Sequence, residues 1–194
     1  NISLAELYYS YSFINNERLE LGLMLGLSGY WVTTKIEGEA TMVMFDNVLM
    51  QQGGMTSDQV PGIEGIIEGQ MKAGGGRGAQ QKLDKAPLVI KEGLIGAYID
   101  GFKFCVAVKR AGGWDDLNKA WADIPVSTEQ ILHPDRYMKR DMPQTVTIPE
   151  KLEGLDGWEK VEQNVMGEFG VKMVLLTLKP KSPKSGAEAS AGWD

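Results

Sequence analysis

A chain of 194 residues, 43% of them hydrophobic, is long enough to bury a core as one domain, or as one domain with a small appendage. The net charge of −6, with Lys and Arg spread thinly, lacks the basic stripe that a phosphate backbone needs, so no nucleic-acid partner is expected. The lone Cys105 cannot form an internal disulfide, and the longest apolar run, Leu19 to Val32, is broken by Glu20 and glycines and falls short of the roughly 20 residues of a membrane span.

The chain opens on Asn1-Ile2-Ser3 without a charged segment followed by an apolar one, so no targeting signal is expected there. Ser3 and Glu6 have capping-box spacing for a helix that carries Leu4, Leu7, Tyr8 and Tyr11. After Asn15-Asn16 a second helical pattern runs from Glu17 to Gln52, and Gly53-Gly54 ends it. Within it stands Glu37-Gly38-Glu39-Ala40-Thr41, whose acids are expected to be solvated or structurally paired. Ser57 or Asp58, followed by Pro61, starts a short helix, and Gly74-Gly75-Gly76-Arg77-Gly78 reads as a flexible link. That glycine run lacks the Gly-Lys-Ser/Thr ending of a phosphate-binding loop.

A third long helix is predicted from Ala86 to Ala111, with Leu94, Tyr98, Phe102, Cys105 and Val106 facing the core, stopped by Gly112-Gly113. A short helix follows over Trp114 to Ala122, Pro125 breaks it, and Ser127 caps the next turn. The stretch Ser127-Thr128-Glu129-Gln130-Ile131-Leu132-His133-Pro134 holds the sole histidine beside a glutamate. Histidine titrates near neutrality, which suits it to acid–base work, although a lone histidine is more often structural. Thr145 to Ile148 and Trp158 to Val165 read as strands, Met166 to Lys179 as a buried helix, and Pro180 to Ala191 as a loop or disordered link. The predicted fold is therefore α+β and mainly α-helical, with long central helices and a short strand-containing C-terminal part. Residues 1–179 form one domain in this reading and 180–194 a flexible tail.

Several stretches together resemble a group of bacterial predicted zinc metallopeptidases with a zincin-like, gluzincin-type fold. These are Tyr98-Ile99-Asp100-Gly101-Phe102, Ala111-Gly112-Gly113-Trp114, the block from Ser127 to Tyr137, Met166-Gly167-Glu168-Phe169-Gly170 and Ala191-Gly192-Trp193. Glu37-Gly38-Glu39-Ala40-Thr41 is similar to the family's segment carrying a glutamate zinc ligand. Such enzymes bind Zn²⁺ through two histidines one turn apart, with the intervening glutamate as general base and a later glutamate closing the site. If Ala5-Glu6-Leu7-Tyr8-Tyr9 is the equivalent run, Glu6 matches the base, while Ala5 and Tyr9 replace both imidazoles.

The resemblance thus implies a degenerate, metal-free member that has lost its zinc and acts by binding a peptide or protein in the old cleft. A carboxylate left in that pocket, Glu6, Glu37 or Glu39, is then expected to pair with a tyrosine hydroxyl, such as Tyr8 or Tyr9, or to have its pKa shifted upward. An alternative is an active hydrolase in which Glu6 or Glu129 activates water, Glu37 contributes and His133 moves protons. A third reading is a fragment or subunit of a larger assembly, such as a homo-oligomer, because the chain begins at the helix that zincins place after strands. Relatives of this kind are often exported, which implies an extracytoplasmic location.

Overall fold

A computed structural model describes residues 30–73, 85–144, 154, 157, 159, 166–178 and 183–193. Every regular element among them is a helix. In chain order these are α1 (Tyr30–Gly53), a 3-10 turn (Ser57–Gln59), α2 (Ile63–Ala73), α3 (Leu88–Lys119), α4 (Thr128–Leu132), α5 (Pro134–Lys139), α6 (Glu168–Thr177) and α7 (Pro183–Ser190). The mainly helical expectation is met. The predicted strand at 145–148, all but Glu159 of the one at 158–165, the Gly74 to Gly78 link and the first predicted helix lie outside the described residues.

The two long helices, α1 and α3, make the frame. They run in the same sense, since Glu37 meets Tyr98, Gly38 meets Gly101 and Asp46 meets Lys109 in the same order along both. At the crossing the backbones themselves touch. A Cβ on Gly38 would lie 2.1 Å from the Gly101 carbonyl carbon, and one on Gly101 would lie 1.8 Å from the Thr34 carbonyl oxygen. Only a hydrogen at these two positions permits this approach, which offsets the helix propensity that glycine forfeits.

Above the crossing, Met42, Phe102, Phe104, Val106 and Val108 form a buried core, closed by Ile63 and Ile67 of α2 and Ile131 of α4. Phe45 and Phe102 meet edge to face at 6.0 Å. Ion pairs from α3, Lys103 to Glu68 at 2.6 Å and Arg110 to Glu64 at 2.7 Å, set α2 antiparallel to α3. A buried network lies deeper. The Lys109 ammonium bonds Asp46 at 2.7 Å and Asp58 at 2.8 Å, while Asp46 Oδ1 also accepts the Ser57 backbone N–H at 2.6 Å. The two carboxylates hold the Lys109 ammonium above its ordinary pKa against the opposing effect of burial, which is the largest single influence.

The predicted stop at Gly112-Gly113 is a break inside α3: Gly113 has φ 70°, and the helix resumes at a new angle as far as Lys119. The predicted core stripe of α3 needs a correction. Phe102, Cys105 and Val106 are buried, whereas Leu94 and Tyr98, two turns and one turn before Phe102, are exposed. The Pro180 to Ala191 stretch also differs from expectation. Pro183 starts a helix that runs to Ser190, and Gly186 and Ser190 are buried against α6. Proline is compatible with a first helical turn, where its missing N–H costs nothing, so it opens this helix and does not exclude it.

The glycine crossing yields a contrast that chemical denaturation can read. Gly38→Ala drives a methyl group into the Gly101 backbone and is expected to lower stability by about 3 kcal/mol or more. Gly69→Ala, in α2 with open space around its Cα, is expected to raise stability by ~0.5–1 kcal/mol.

Candidate functional site

The Glu-Gly-Glu segment of α1 puts its two acids on either side of the glycine contact. The Glu37 carboxylate lies near the Tyr98 phenol of α3, and burial together with that charge pushes the phenol above its ordinary pKa. Tyr8 and Tyr9, the tyrosines expected to meet a carboxylate of the former pocket, lie outside the described residues along with Ala5 and Glu6. The tyrosine near Glu37 is Tyr98, four residues before the buried Phe102.

Glu39 faces another way. Its Oε2 accepts from Lys35 Nζ at 3.0 Å and from Trp121 Nε1 at 2.9 Å, and the Lys35 ammonium lies 3.6 Å from the centre of the Trp121 ring. Lys35 is fully buried. Desolvation by burial pulls its pKa below the ordinary lysine value, and Glu39 resists that shift. The indole thus serves two ends of one ion pair: its face lies on the cation and its N–H on the anion. Below the pair, Cys105 Sγ meets the Lys35 carbonyl at 3.9 Å, and burial pushes that thiol up to about 12.

The Ser-Thr-Glu-Gln block forms a knot in which each residue has a structural assignment or a buried place. Ser127 Oγ accepts the Gln130 N–H at 3.2 Å and caps α4 as expected. Thr128 Oγ1 accepts the Phe169 N–H at 3.1 Å, which ties α6 to α4. Gln130 accepts from the Val126 N–H at 2.9 Å and donates to the Asp141 carbonyl, bracketing the α4–α5 segment. Glu129 is 3% exposed, and its carbonyl accepts the His133 N–H at 2.7 Å.

His133 closes α4 and opens α5, with Pro134 at the first position of α5. Its Nε2 lies 2.9 Å from Oε1 of Glu168 at the start of α6. Glu168 is almost wholly buried, and its Oε2 has no hydrogen-bond partner. Sequence reasoning missed this pairing, although the Met166 to Gly170 segment was singled out. It also missed Lys35, whose spacing of four from Glu39 was a visible signal for a helical ion pair.

Among the described residues, no three His, Cys, Asp or Glu side chains converge as a metal site would require. A two-histidine zinc site does not fit the donors present, since the 194 residues contain one histidine, and it is held by Glu168. No described helix is long and apolar enough to cross a membrane. Searches of protein-family models, of curated proteins and of solved structures give no match to this chain.

Two outcomes test this chemistry. Glu39→Ala leaves a buried ammonium without its counter-ion and is expected to cost about 2–3 kcal/mol in urea denaturation, whereas Lys35→Met removes the charge with its stem kept and shifts stability by less than about 1 kcal/mol. Cys105 is expected to resist an aromatic disulfide reagent at pH 8 until denaturant is added. Its raised pKa has a stability consequence too: between pH 9.0 and about 12 the unfolded thiol loses its proton while the folded one keeps it, so stability falls as pH rises through that window.

Proposed function

We propose that this chain is a degenerate relative of zincin-type metallopeptidases that works by binding a peptide or protein segment and does not hydrolyse it. One observation carries the reading. The sole histidine, His133, is engaged by the buried Glu168 at 2.9 Å, and Glu37 has the Tyr98 phenol near it and no described metal donors around it. A hydrolytic zincin needs the corresponding carboxylate on its metal. The replacement of both imidazoles by Ala5 and Tyr9, in the register that the resemblance implies, supports the same conclusion. The family itself, the location outside the cytoplasm and any homo-oligomer belong to this proposal.

A second reading draws on the His133–Glu168 pair. A carboxylate buried behind an imidazole orients the ring, as hydrolases that use histidine as a general base require, and the His133 side chain remains 39% exposed. In this version Glu129 or Glu6 assists and the chain is an active hydrolase.

Elemental analysis after dialysis and a broad peptide-library digest separate the two. The binding reading expects less than about a tenth of a zinc per chain and no cleavage above a blank. Stoichiometric zinc, or cleavage lost in His133→Ala, would establish the hydrolase in its place.

A further inference from the structure

A cleft of about 560 Å³ opens beside the α3 break, lined from both sides of it. Its size falls in the range of small-ligand sites. Buried Val108 forms the floor, and Ala122, Met138 and the Tyr137 ring form apolar walls. The Tyr137 wall is braced: its ring meets Phe104 edge to face at 5.1 Å, and its hydroxyl donates to the Asp123 carbonyl at 2.7 Å.

Four charged residues make the rim, and they come as two opposed pairs. Lys119 bonds Asp116 at 2.7 Å, and Arg140 pairs with Asp123. All four side chains are at least 45% exposed. Ion pairs on exposed side chains are held weakly, although the Asp123 Oδ2 that meets Arg140 is itself buried. Arg140 carries a further signal. It sits at φ 60°, ψ 38°, the left-handed position after α5 that glycine usually fills, and among the described residues it alone has positive φ without being glycine. This conformation caps α5, with the Arg140 N–H donating to the Tyr137 carbonyl at 3.0 Å, and fixes where its side chain leaves the backbone beside the cleft.

An apolar floor beneath two cations and two anions suits a ligand that is itself neutral overall, bears both charges and has an apolar body. We propose that this cleft binds short zwitterionic peptides: Arg140 and Lys119 take the terminal carboxylate, Asp116 and Asp123 take the ammonium, and an apolar side chain lies on Val108 and Met138. The proposal rests on the binding reading above for its choice of a peptide. It goes further by naming the ligand class and a place away from the Glu37 segment. A dianionic ligand is disfavoured by the two rim carboxylates and by the overall charge of −6.

The test is a titration of the full chain, carrying labelled methionine methyl groups, with the dipeptide Leu-Leu, its amide and its N-acetyl form. Leu-Leu is expected to shift the Met138 methyl signal saturably, with a Kd at or below the millimolar scale. The amide and the acetyl form each bind about tenfold or more weakly, since each leaves one pair of rim charges unanswered. Arg140→Gly is expected to weaken Leu-Leu by about tenfold or more while leaving the thermal midpoint unchanged or higher, because glycine suits the left-handed position. Asp123→Asn weakens the dipeptide but spares the acetyl form. The absence of a saturable Met138 shift, or equal binding of Leu-Leu and its amide, overturns the proposal. A metal-free, non-cleaving chain that ignores Leu-Leu would reject the cleft and leave the binding reading intact. Zinc-dependent cleavage would reject that reading, with the cleft still judged by the methyl shifts.

Discussion

The contact between Gly38 and Gly101 decides how near α1 and α3 come, and most other positions in the molecule follow from that distance. With the backbones in touch, side chains one turn away are brought across a gap that short groups can bridge: Tyr98 reaches Glu37 on one side, and Cys105 meets the Lys35 carbonyl on the other. The Thr34 carbonyl lies directly against Gly101, so Lys35, next in the chain, begins inside the protein. Its ammonium has no route to water and must find charge and π-density indoors, which Glu39 and Trp121 supply. Trp121 is there because α3 breaks at Gly112-Gly113 and the chain after Lys119 comes back over α1.

A second hub explains why the block from Ser127 to Pro134 looks specific without looking catalytic. Within eight residues it caps one helix, starts the next, fastens α6 through Thr128 and His133, and holds the Asp141 loop through Gln130. Polar residues at such a junction are constrained as tightly as those of an active site, because each satisfies a backbone or carboxylate group that burial would otherwise leave unpaired.

The sequence made the helices legible wherever glycine and proline punctuate them. The end of α1 at Gly53, the break at Gly112-Gly113 and the Ser127 cap were all readable from local chemistry. What could not be read was which apolar residues of a long helix would be covered, as Leu94 and Tyr98 show: a helical stripe says that residues share a face and says nothing of what lies opposite. The Pro-, Ser- and Gly-rich composition after Pro180 hides the helix that Pro183 opens, since a proline at a helix start is favourable. Partners distant in sequence were equally hidden. Glu168 lies 35 residues from His133 and Lys109 lies 63 from Asp46, and no periodicity links such pairs. For the acids in Glu37-Gly38-Glu39 the sequence leaves solvation and pairing open, and the partners of Glu39 emerge only from the folded helices.

The two C-terminal helices show how unevenly the structure is held. Helix α6 is fastened to α4 by the Thr128 and His133 contacts and seats Phe169 and Met173 beside Ala97, Leu88 and Leu132. Helix α7 packs principally on α6, and beyond it the Trp193 indole reaches only to the Met166 carbonyl just before α6. Amide protons in this part therefore exchange in an order set by the attachment. Those of α7 open first, at little cost to the rest, and those of α6 follow when the His133–Glu168 anchor gives way. The protons around the glycine crossing are expected to exchange last, so the described helices make a graded series of opening units from α7 inward to that crossing.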